Sequence, residues 1–288
     1  MTAAPPPGAR FRFVQFEFAF PLGPADGRYL TRAAPDAEPE HVLVLQTTGA
    51  MPRPLVGKRR ARKADASDEP PLVPLVRATV INSDPFDTDE GAAEWLDRMR
   101  RDREALTAEA EAAAADLNRL LRAHRAAAAD PAARDVAPAG ANVVRIGYGS
   151  GDQVVDGRFA EAYELAPDDD SSKPRRRAAA LAPDERLAAI LGGRDELLAC
   201  EELLLRARSD LDARRPREAA LQARIALEAL LAEIGGDELG GDREAVGRAA
   251  NEALGGDPSA DLQAAVAEAV AHMETALRRR RLGHITSN

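Results

Sequence analysis

The sequence predicts an α+β protein: an N-terminal mixed or antiparallel sheet of about five strands with a long helix, followed by a C-terminal all-α helical bundle. Three observations lead there. Five of the seven phenylalanines lie between Arg10 and Phe20, with β-type alternation around them. Beyond residue 178 the apolar residues recur at helical spacing. Between these halves, residues 167–177 (PDDDSSKPRRR) are acidic, then polar, then basic, with no apolar side chain. That composition marks a domain boundary.

From these follow a disordered start at 1–9, an α+β domain over 10–165, a charged linker over 166–178 and a helical bundle over 179–288. In the first strand, Val14, Phe16, Phe18 and Phe20 alternate with Gln15, Glu17 and Ala19, the period of a strand with one buried face. Phe11 and Phe13 fall on the opposite phase, and a bulge near Phe13 reconciles the two sets. The turn residues from Gly23 to Gly27 lead into Arg28–Arg32 and suggest a hairpin. Further strands are expected at His41–Gln46 and Leu75–Ile81. Between them, prolines, the run Lys58 to Lys63 and the acids Asp68 and Glu69 break any periodicity, which reads as a mobile loop over 51–71. Asp87 to Glu90 then start a long helix reaching about Ala129, with Pro131 beyond it. Trp95, Leu96, Met99, Leu106, Leu117, Leu120 and Leu121 form its apolar face, and the alanine run Ala112 to Ala115 is the expected point for any break. A buried strand at Asn142–Tyr148 and a short helix at Gly157–Leu165 complete the domain.

In the second half Ile190, Leu197, Leu204 and Leu211 repeat every seven residues and suggest one helix stripe. Arg214, Arg215 and Pro216 form the next turn, with the proline at the first position of a helix that ends at Gly235 and Gly236. A helix at about Asp242–Leu254 stops at Gly255 and Gly256. The last one carries Leu262, Val266, Val270, Met273 and Leu277 and reaches Arg281 before Gly283.

Composition excludes several functions. The 288 residues carry 39 Lys+Arg against 48 Asp+Glu, a net charge of −9, and 45% of them are hydrophobic. A chain of this kind folds. Residues 1–165 hold 21 basic and 25 acidic side chains and residues 166–288 hold 18 and 23, so neither half is a basic body suited to a polyanion. The only lysines, Lys58, Lys63 and Lys173, all lie in expected loops or linkers. A P-loop clamp or a Schiff-base lysine requires an ammonium on rigid scaffold and is therefore disfavoured. Scarce lysine beside abundant Ala, Arg, Asp, Gly and Pro also suits a high-GC bacterial coding sequence. Cys200 is alone, which removes intrachain disulfides and multi-cysteine metal sites. No stretch approaches the roughly 18 apolar residues of a membrane span, and Met1 to Arg12 lack the apolar core of a signal peptide. A cytoplasmic protein without a membrane partner is expected, with no cofactor and no metal.

The ligand candidates cluster at Gly147 to Gly157: Tyr148, Ser150, Asp152, Gln153 and Asp156 adjoin a buried strand. The glycines suggest a phosphate loop, but position 152 is an acid where the dinucleotide pattern needs glycine. A turn or bulged hairpin is the alternative reading. The histidines His41, His124, His272 and His284 make no metal-binding pair in sequence. Near the end of the chain, Arg279 and His284 have the spacing R-x-x-x-x-H on a helical bundle. This resembles the HEPN ribonuclease family, and the resemblance implies RNA cleavage by an Arg and a His, generally across a dimer. Helix-end chemistry offers the other account, with Arg278 to Arg281 at the negative end of the helix dipole and Gly283 as a cap. The expected function is non-catalytic association with a protein partner or with itself. A HEPN-like ribonuclease and weak nucleic-acid binding through the basic clusters 58–63, 173–177 and 278–281 are the alternatives.

Overall fold

The structure is a computed structural model that describes residues 8–32, 34, 36–49, 75–130, 134–166, 183–236 and 239–285. The chain divides into two compact units, Met1–Asp170 and Ser171–Asn288. The expected loop at 51–71, nearly all of the linker at 166–178 and the three lysines lie outside the described residues.

The first unit holds a six-stranded sheet: β1 (Arg10–Phe18), β2 (Gly27–Thr31), β3 (His41–Thr48), β4 (Leu75–Asn82), β5 (Val143–Ser150) and β6 (Glu161–Glu164), in the order β2-β3-β4-β1-β5-β6. Every pair is antiparallel. Two expectations change. The hairpin after Gly23 does not form with β1, because β4 and β5 occupy both of its edges; β2 pairs with β3 instead. The segment expected as a helix at 157–165 is the edge strand β6, whose Tyr163 and Ala162 pair with Ile146 and Gly147.

Strand β1 runs through the sheet without a bulge: Phe13 to Phe18 pair in unbroken register with Ile81 to Val76, and Arg10 to Glu17 with Ser150 to Val143. Both phenylalanine phases are used because both faces of the sheet bury apolar surface. Val14, Phe16 and Phe18 join Leu43, Leu45, Ala78, Val80, Val144 and Ile146 beneath two helices. Phe13 faces the other way and packs with Val44, Ile81 and Val154. Burying side chains such as Phe16 and Phe18 contributes about 1.5–3 kcal/mol each.

The covering layer is α1 (Asp89–Arg101) and α2 (Arg103–Ala128). Thr88 caps α1 by accepting from the Gly91 amide at 3.0 Å. The long helix breaks at Asp102 and not at the alanine run. The Asp102 amide closes α1 onto the Arg98 carbonyl, and its carboxylate accepts from the Ala105 amide to start α2. Alanines tolerate an unbroken helix, whereas an aspartate competes for backbone donors. Leu106, Ala110, Ala113, Ala114, Leu117 and Leu121 then give α2 one buried stripe. A one-turn helix, α3 (Gly151–Val155), lies on the opposite face of the sheet, with Val154 buried there.

The second unit comprises α4 (Pro183–Leu191), α5 (Ala199–Asp212), α6 (Pro216–Ile234), α7 (Gly240–Ala253) and α8 (Ala260–Ile285). Its core joins Cys200, Leu204 and Ala207 of α5 to Ala223, Leu227 and Leu230 of α6, Val246 and Ala249 of α7, and Val266, Val270 and Met273 of α8. The many alanines let helix axes approach closely. Pro216 opens α6 and Gly235, at φ 76°, follows its end, as the sequence implies. The seven-residue stripe is not continuous. Gly192 and Gly193, the latter at φ 66°, separate α4 from α5, and Leu197 stands exposed between them. At the other end α8 runs through Gly283 to Ile285. Among the described residues no helix is long and apolar enough to cross a membrane.

Candidate functional site

Gly147 and Gly149 lie within β5, not in a loop. A Cβ on Gly147 would collide with the Glu161 carbonyl and come within 2.8 Å of Ala162 Cα; one on Gly149 would lie 2.8 Å from Val154 Cγ2. These glycines let β6 and the segment after α3 close onto β5, so their role is close backbone approach. The five candidate residues around them do not converge. Tyr148 points into the core beneath the helices, and its hydroxyl donates to Glu161 Oε2 at 3.2 Å. Ser150 precedes α3 without capping it, while Asp152 and Gln153 are exposed on that helix. Asp156 is exposed and pairs with Arg158 at 3.2 Å and Arg28 at 3.9 Å.

The face of the sheet that α3 partly covers carries a polar network missed by the sequence reading. Cross-strand pairing sets Arg28, Val44, Thr79, Gln15, Arg145 and Glu164 in one row, with Gln46, Arg77 and Glu17 in the next. Glu17 accepts from Arg145 at 2.8 Å and from Arg77 at 3.2 Å. Burial pushes its carboxyl up, but the two guanidiniums outweigh this and hold it below the usual glutamate value. Gln15 donates to Thr79 at 3.2 Å, and Gln46 donates to the Val155 carbonyl at the end of α3. Gly157, at φ 77°, gives Arg77 room to lie under the turn. In Gln15 and Glu17 the sequence signals a polar face by alternation, but their partners are 60 to 130 residues away and become visible only with register. Each charge in this row is matched by a neighbour, which makes the network a fastener between strands.

A second polar contact sits where α2 crosses the β3 end. His41 Nδ1 is 3.4 Å from Asp116 Oδ2 without hydrogen-bond alignment, and Arg119 bridges Glu40 at 3.3 Å and the Arg32 carbonyl at 3.0 Å. Burial raises the Asp116 pKa, against the pull of His41 and Arg119.

In the helical unit α4 is fastened by charge. Arg186 donates to both carboxylate oxygens of the buried Glu201, and Arg186 Nε donates to Asp195 at 3.1 Å. Glu201 also accepts from the Leu198 amide. Ile190 of α4 is half-buried, but its two leucines remain outside: Leu187 is 55% and Leu191 79% exposed, and Leu197 follows at 59%. Residues spaced i,i+4 share one helix face, so Leu187 and Leu191 form a stripe that the bundle does not cover. At the start of α5 the Glu233 carboxylate accepts from the amides of Ala199 and Cys200, at 3.1 and 2.9 Å. Burial, with Glu233 beside it, pushes the Cys200 thiol up to about 12.

Arg279 is exposed on α8, and the side chain of His284 lies outside the described residues. Of the basic run, Arg278 lies 3.5 Å from Glu274, and Arg280 acts electrostatically on Glu233 and Cys200. His272 pairs with Asp242 at 3.0 Å. Among the described residues no group of three or more His, Cys, Asp or Glu is placed to hold a metal ion.

These features define an α+β protein with a sheet unit and a helical unit whose charged side chains largely fasten its own elements. Comparison with protein-family models, curated proteins and solved structures finds no significant match to the chain.

Proposed function

We propose that this protein acts in the cytoplasm by non-catalytic association with a protein partner or a second copy of itself, and that α4 is the contact element. The observation that carries this reading is the exposed pair Leu187 and Leu191 on a helix held down by Arg186 rather than by its own leucines. A helix with two leucines one turn apart facing outward suits helix-in-groove or helix-to-helix docking. Exposed apolar surface of this kind costs solubility unless covered. A lone, buried free thiol fits a reducing compartment.

The test uses the full chain beside its Leu187→Ser/Leu191→Ser variant. Light scattering after size exclusion, and retention of proteins from a native lysate, are compared for both. Association by the parent chain that the variant loses, with unchanged far-UV circular dichroism, supports the reading. A monomeric parent that retains nothing, or a variant that associates equally well, refutes it.

A further inference from the structure

We draw no further inference here: the strongest candidate, the open edge of β2 with Arg28 and Leu30 exposed on it and Arg32 exposed just past its end, carries nothing, because Arg28 already faces Asp156 at 3.9 Å, Arg32 donates to the Ala37 carbonyl at 2.6 Å, and nothing in the structure shows what covers the strand.

Discussion

Arg186 grips Glu201 through a single nitrogen, Nη2, which donates to the two carboxylate oxygens at 2.9 and 2.7 Å. Glu201 is only 5% exposed, so its charge relies on this partner. The pair joins α4 to the first turn of α5 while the leucines of α4 face outward.

Arg186→Met takes the guanidinium away from the buried Glu201 carboxylate, at a cost of roughly 3–5 kcal/mol to the helical unit. The double variant Arg186→Met/Glu201→Leu recovers most of it, because neither charge is then stranded. Urea denaturation of both variants checks this. Hydrogen exchange of the α4 amides accelerates in the single variant.

Cys200 is the chain's only cysteine and is fully buried. With its thiol pushed up to about 12, almost no thiolate exists near neutrality, and attack on disulfide reagents needs thiolate. A colourimetric disulfide titration yields no reaction in the native protein and one equivalent after unfolding. Fast native labelling would contradict the packing of α5 against α6.

Glu17 and Asp116 respond to pH with opposite signs. The folded pKa of Glu17 is lowered, so its contribution is present above the unfolded value of about 4.3 and is lost as pH falls through the folded value. Asp116 is raised by burial; the native state keeps its proton longer, and that contribution fades as pH rises through the folded value. Glu17→Gln therefore destabilises most near neutrality and least in acid. Asp116→Asn removes the loss that follows ionisation. Denaturant midpoints measured from acid to neutral pH separate the two.

Ala129 ends α2 at φ 50° and Arg214 turns α5 into α6 at φ 53°, both in the left-handed region that favours glycine. Ala129→Gly and Arg214→Gly each raise stability by about 0.5–1 kcal/mol, because relief of left-handed strain outweighs the added entropy of glycine in the unfolded chain. Thermal unfolding of the single variants shows whether the transition rises.

Elements whose signal is local were legible in the chain. The alternation of Val14, Phe16 and Phe18, the stripe from Leu106 to Leu121, and the stops at Pro216 and Gly235 lie where the structure has them. Where a local signal was weak, packing decided. Residues 161–164 have too short a pattern to choose between helix and strand, and the open edge of β5 made them β6. The seven-residue spacing from Ile190 to Leu211 crosses two glycines that end a helix.

Of the candidate sites, the sequence located the segment Gly147 to Gly157 but not its role. Two glycines in a strand read equally as a ligand loop or as a close approach, and only the position of the Glu161 carbonyl over Gly147 separates these. Glu17 with Arg77 and Arg145, and Arg186 with Glu201, are pairings without a mark in the sequence. What the chain determined by itself is which side chains turn inward along the helices and strands with a long, regular pattern, because that follows from a repeat of two or 3.6 residues. What the tertiary structure alone decided is which charges neutralise one another and which apolar groups stay uncovered, because those depend on strand register and helix packing between residues far apart in the chain.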